Sequence, residues 1–203
     1  MRISVEDTSC LVIDYQERIV PAMTKWEELI ANSERFLKGL KILGVPMAIT
    51  GQYTKGLGLN LPEIFAAVGT EEYIDKLTFS SYEVPEVQSF LRHRMQEAAK
   101  LLSADGASSA AIGQKEGRGG NVLLCGIEAH VCVLQTAIDL KEAGYTPILV
   151  TDCISSRKAG DKEIALIRAQ QEGVLLSTSE ALLFELTRRA GTDVFKQISR
   201  LVK

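Results

Sequence analysis

Short apolar runs alternate along the chain with longer stretches whose apolar residues recur every three or four positions. Cys10-Leu11-Val12-Ile13 is apolar without interruption, the pattern of a parallel strand covered on both faces. From Trp26 to Leu43 the apolar positions Leu29, Ile30, Phe36, Leu37, Leu40 and Leu43 predict a helix that Gly44 ends. Val45 to Ile49 reads as the next strand, with Pro46 near its start where a missing N–H is tolerated. A glycine-bearing loop, Gly51 to Pro62, follows, and Ile74 to Ser80 reads as a third strand. Val84 to Leu102 is a helix with Pro85 in its first turn. Ser103 to Gly120, rich in small residues, reads as a surface loop. Asn121 to Gly126, Pro147 to Val150 and Val174 to Leu176 are further strands. Helices His130 to Gly144, Asp161 to Glu172, Ser179 to Arg189 and Asp193 to Leu201 complete the pattern.

Strand–helix–strand repetition of this kind predicts an α/β fold: three α-β-α layers around a six-stranded, mostly parallel sheet. No linker divides the 203 residues, so residues 1–203 read as a single domain. Ligand crevices in such sheets lie outside the carboxyl ends of the strands, which makes the polar residues there the candidates for chemistry.

Composition narrows the classes. With 46% hydrophobic and 24% charged residues the chain is ordinary for a globular protein. A formal charge of −3 disfavours nucleic acid as a partner, because phosphate binding needs a positive field. No apolar run approaches the roughly 20 residues that span a bilayer, and the charged start, with Arg2, Glu6 and Asp7, does not resemble a signal peptide. The expectation is a cytoplasmic protein that acts on a small molecule, without membrane partners. The two histidines, His93 and His130, stand far apart in sequence, and the four cysteines have no metal-site or disulfide spacing, so no metal and no cofactor are expected.

Asp14 directly follows the first strand, with Gln16 two residues on; Gln52 follows the second, and Lys76 lies in the third. Gly126 ends the fourth strand, and the next helix begins so soon afterwards that Cys132 falls in its first turn. Unpaired N–H groups and the positive helix end are expected to lower the thiol pKa there, and the same N–H groups can stabilise an oxyanion. A lysine nearby favours thiolate and a carboxylate can take the proton. Burial in a core is the ordinary fate of a free cysteine, and the sequence alone leaves that reading open for Cys132. His130, two residues away, would point to another side of the helix and is a poor base for it.

Four segments in order resemble the successive motifs of the isochorismatase-like cysteine hydrolases: Val12-Ile13-Asp14-Tyr15-Gln16, Gln52 to Gly58, Lys76 to Ser80, and Gly126 to Val133. Ser155-Ser156-Arg157 and Leu176 to Glu180 further resemble the branch that includes the animal isochorismatase-domain-containing proteins. The resemblance implies a catalytic triad of Asp14, Lys76 and Cys132. It also implies a cis peptide between Ile127 and Glu128 that turns the N–H groups of Glu128 and Cys132 towards an oxyanion. The implied reaction is amidase-like hydrolysis through a thioester. Hydrolysis of an isochorismate-like ether, or a non-catalytic binding member of the fold, are the alternatives. Gln16, Gln52, Tyr53 and Phe79 stand beside the triad in these motifs and are the candidate substrate contacts. In place of the metal-binding pattern of the family's nicotinamidase branch stands Gln52-Tyr53-Thr54-Lys55. The resemblance also implies a homo-oligomer; the apolar stripe of Phe184, Leu186, Phe195, Ile198 and Leu201 could serve such an interface, but by itself it reads more simply as packing on the sheet.

Overall fold

The computed structural model describes residues 2–104 and 119–203. Six strands, β1 (Thr8–Ile13), β2 (Met47–Gln52), β3 (Ile74–Lys76), β4 (Asn121–Ile127), β5 (Thr146–Ser155) and β6 (Leu175–Ser177), form one sheet. Their order is β3-β2-β1-β4-β5-β6, and every pairing is parallel. The order reverses between β1 and β4, so the first and fourth strands lie side by side at the centre. Their carboxyl ends flank the crevice expected of such a reversal.

Helices α1 (Trp26–Leu43), α2 (Thr54–Leu57), α3 (Pro62–Val68) and α4 (Pro85–Ala104) precede β4. A π-helical turn (Ala129–Val133) leads into α5 (Leu134–Glu142), followed by α6 (Ala159–Gln171), α7 (Ser179–Thr187) and α8 (Asp193–Leu201). Alternate residues of β1 feed two core layers. Cys10 and Val12 join Phe36, Leu37, Leu40, Leu183 and Ile198, whereas Leu11 and Ile13 join Val133, Ala137 and Leu140. Each such fully buried aliphatic or phenyl side chain contributes roughly 1.5–3 kcal/mol relative to exposure. Both faces of β1 are therefore covered, which is why its sequence shows no alternation.

Several boundaries differ from the sequence pattern for identifiable reasons. The third strand stops at Lys76 rather than Ser80, because the Lys76 ammonium draws the carbonyls of Thr78 and Phe79 back around itself, each at 3.2 Å. The expected loop from Gly51 to Pro62 holds the short α2, and Pro62 itself opens α3 as a first-turn proline. The helix expected from His130 begins one residue earlier as a wide turn in which the Val133 amide donates to the Glu128 carbonyl, five residues back. Ser103 and Ala104 belong to α4; the central part of the expected loop, 105–118, lies outside the described residues. The C-terminal apolar stripe is largely spent within the fold. Leu186 and Ile198 are buried, and the Phe184 and Phe195 rings face each other at 6.3 Å. Among the described residues no helix is long and apolar enough to cross a membrane.

Candidate active site

The crevice is built by close approach of β1 and β4. Gly126, next to Ile13 in the register, has φ +132, and a Cβ there would meet the Ile13 carbonyl oxygen at 2.0 Å. Only glycine allows the two strand ends to come together this way. Just beyond it, Asp14 adopts a left-handed backbone at φ 56, and the Ile127–Glu128 peptide is cis. Tyr53, which follows β2, is also left-handed at φ 42, uncommon for a bulky residue and a mark of sites whose surroundings enforce the conformation.

These turns bring the three expected residues together. The Lys76 ammonium lies 2.7 Å from Asp14 Oδ2 and donates to Gln52 Oε1 at 2.7 Å. The Cys132 sulfur lies 4.0 Å from the same Gln52 oxygen, and both Asp14 and Lys76 act on the titration of its thiol. All three are buried, Cys132 with 6% exposure. Asp14 Oδ1 accepts from the Thr50 hydroxyl at 2.8 Å. Oδ2 meets Lys76 as a charge without an aligned hydrogen bond, which leaves lone pairs able to take a proton.

Electrostatics here oppose one expectation. The Cys132 thiol is pushed up to about 12, by burial first and then by the Asp14 charge, while Lys76 pulls it down. The position at the start of a helix does not outweigh desolvation, so the resting sulfur is a protonated thiol. Burial also raises Asp14 above its ordinary value, with Lys76 and Thr50 opposing. A thiol and a carboxylate of raised basicity in one buried pocket suit proton transfer on demand rather than a standing thiolate.

The remaining candidates fall into two sets. Gln52 bridges to the Leu77 carbonyl through Nε2 at 3.0 Å, and Tyr53 and Phe79 are exposed. Gln16 is fully buried beneath the site, its Nε2 donating to the Gly58 carbonyl and its Oε1 accepting from the Gln52 amide. It therefore holds Gln52 in place. His130 turns away from the sulfur, with Nδ1 3.0 Å from the Ser156 hydroxyl and Nε2 3.8 Å from Asp161. Among the described residues no group of three or more His, Cys, Asp or Glu side chains is placed to hold a metal ion.

Three contacts escaped sequence reasoning. Thr50 orients Asp14, and its only signal was a polar residue ending an apolar strand. Thr136 Oγ1 donates to the Cys132 carbonyl at 2.6 Å and accepts from the Ser81 amide at 2.8 Å, tying the Cys132 turn to the segment after Phe79. Glu128, at 6% exposure, accepts from both the amide and Nε of Arg157 at 3.0 Å.

The isochorismatase domain model matches residues 8–181. The chain belongs to the isochorismatase family. Mouse isochorismatase domain-containing protein 2A is 35% identical over 202 residues, covering 100% of this chain and 85% of the relative. The solved structure of MAR1 ribonuclease from Caenorhabditis elegans superposes with a TM-score of 0.82 at 31% identity, covering 100% of this chain and 92% of that one. The YcaC gene product of Escherichia coli, described as an octameric hydrolase of unknown specificity, shares the fold with a TM-score of 0.76 at 20% identity, covering 99% of this chain and 89% of that one. The six-stranded parallel sheet with helices on both sides is thus the isochorismatase-family hydrolase fold.

Proposed function

We propose that the protein is a cysteine hydrolase of small amide-like substrates, with Cys132 as nucleophile, Asp14 as general base and acid, and Lys76 as the charge that balances them. One observation carries the reading: a buried thiol stands beside a buried carboxylate–ammonium pair 2.7 Å apart, with Gln52 Oε1 between thiol and ammonium. A scaffold has no need of that costly arrangement. As the Cys132 sulfur bonds to the substrate carbonyl carbon, its proton passes to Asp14. The backbone N–H groups of Glu128 and Cys132 face the resulting oxyanion. Collapse breaks the C–N bond, and the protonated Asp14 returns its proton to the departing amine. Water, deprotonated by Asp14, then attacks the thioester, releasing the acid and restoring the thiol. Gln52, Tyr53 and Phe79 contact the substrate, and Gln16 acts through Gln52.

The test is a screen of amides, ureides and nitriles for ammonia or amine release. Turnover of at least one, lost in Cys132→Ala, is expected. Hydrolysis confined to a vinyl ether, or to RNA as the name of the C. elegans neighbour suggests, would overturn the reading. The net charge of −3 and a lysine sealed inside the fold speak against a phosphate-rich substrate.

A homo-oligomer belongs to the same proposal. The octameric E. coli neighbour supports it, as do exposed apolar residues around the crevice, Tyr53, Leu59, Leu77 and Phe79. Light scattering should give a mass that is a multiple of 22.2 kDa; a value near 22.2 kDa itself would contradict it.

A further inference from the structure

The proposed reaction leaves Arg157 without a part to play, although its contacts are specific. Its amide and Nε both reach the Glu128 carboxylate, one to each oxygen, at 3.0 Å. Glu128 is also the residue whose carbonyl accepts from Val131 and Val133 at 3.0 and 3.2 Å, so it anchors the turn that carries Cys132. The same segment is held from behind. Thr24 donates its amide to the Ser156 carbonyl at 3.0 Å and its hydroxyl to the Arg157 carbonyl at 3.1 Å, and the Ser155 hydroxyl donates to the Thr24 carbonyl at 2.8 Å. Ser156 meets His130 at 3.0 Å, a second link to the nucleophile turn. Residues 155–157 thus form a strap pinned to the segment before α1 on one side and to the Cys132 turn on the other.

We infer that Arg157 is a positioning residue for Cys132: by fixing the Glu128 carboxylate it holds the turn, and hence the sulfur, against Asp14 and Lys76. The Arg157 side chain is 60% exposed, so as a bare surface ion pair the contact would contribute little. Its consequence lies in geometry, because Glu128 is buried and covalently adjacent to the turn. Displacing a reacting group by about 1 Å costs on the order of 100-fold in rate. The inference rests on Cys132 being the nucleophile.

Iodoacetamide labelling of Cys132, followed by mass spectrometry across pH, tests it without a known substrate. In the native protein the midpoint should lie high, since the thiol sits near 12. Removing the guanidinium frees one Glu128 oxygen, which loosens the turn, lets water reach the sulfur and weakens its contact with Asp14. In Arg157→Ala the midpoint should therefore fall by about one unit or more, towards the free-thiol value of roughly 8.5. With an amide that the enzyme hydrolyses, kcat should drop about 10- to 100-fold with KM within about threefold, the pattern of misplaced chemistry rather than lost binding. Arg157→Lys, which keeps the cation, should recover part of both changes. Arg157→Gln, which keeps a donor without charge, serves should the alanine variant fail to fold. A folded variant with native midpoint and native kcat would overturn the inference, even if its melting temperature fell. Retained turnover in Cys132→Ala would instead overturn the nucleophile assignment, while the labelling midpoint would still report whether Arg157 places the sulfur.

Discussion

Replacing Cys132 with alanine should remove turnover by about four orders of magnitude or more, since members of a covalent triad act as a unit. The fold should survive. The change removes one sulfur atom from a site where the thiol's hydrogen bond to Gln52 is long, at 4.0 Å, so the stability loss should stay within about 1 kcal/mol. The three other cysteines cannot substitute. Cys10, Cys125 and Cys153 are fully buried in the core, and burial pushes the thiols of Cys10 and Cys153 well above the ordinary range. Circular dichroism paired with the amide assay separates the outcomes: native spectrum without turnover is expected, and native spectrum with turnover within tenfold contradicts the assignment.

Asp14→Asn and Lys76→Met should both abolish turnover yet move the thiol in opposite directions. The Asp14 charge raises the Cys132 pKa and the Lys76 charge lowers it. Asp14→Asn should therefore make Cys132 more reactive towards iodoacetamide at neutral pH while destroying catalysis, because the proton acceptor is gone. Lys76→Met should make it less reactive. Their stabilities should diverge as well. Asp14→Asn leaves a buried ammonium without its anion, a loss of about 3–5 kcal/mol. Lys76→Met leaves a buried carboxyl that can neutralise itself. Its folded pKa, already raised by burial, loses the lowering influence of Lys76 and moves further up. Between the unfolded value and that raised value the folded state holds more protons than the unfolded one, so stability falls as pH rises. The deficit of Lys76→Met should accordingly shrink on acidification through the raised Asp14 pKa. Melting curves at several pH values check this; a deficit independent of pH would contradict the buried-carboxyl account.

Much of this site was legible because parallel sheets place chemistry at strand ends. Cys10 to Ile13 and Val122 to Cys125 are apolar on both faces, so the first polar residue after each run marks the crevice. Asp14 and the turn to Cys132 follow directly. Lys76 was legible as a residue but not as the end of its strand, since the carbonyls that fold around its ammonium become visible only in three dimensions. Thr136 and Ser81 meet across 55 positions, and Glu128 and Arg157 across 29, with nothing in local pattern to pair them. The thiol shows the same limit on the energetic side. Sequence reveals a helix start, which favours thiolate; desolvation by the layers around Cys132 outweighs it and depends on the packed fold. Helix α3 was missed although Pro62 signalled it, because seven residues give too little periodicity to read.

The most direct measurement is mass spectrometry of the enzyme quenched during hydrolysis of an amide it turns over. The account predicts a transient increase equal to the acyl part of the substrate, mapped to Cys132 and absent from Cys132→Ala. Steady turnover with no adduct on Cys132 at any quench time, together with undiminished turnover in Cys132→Ala, would contradict it.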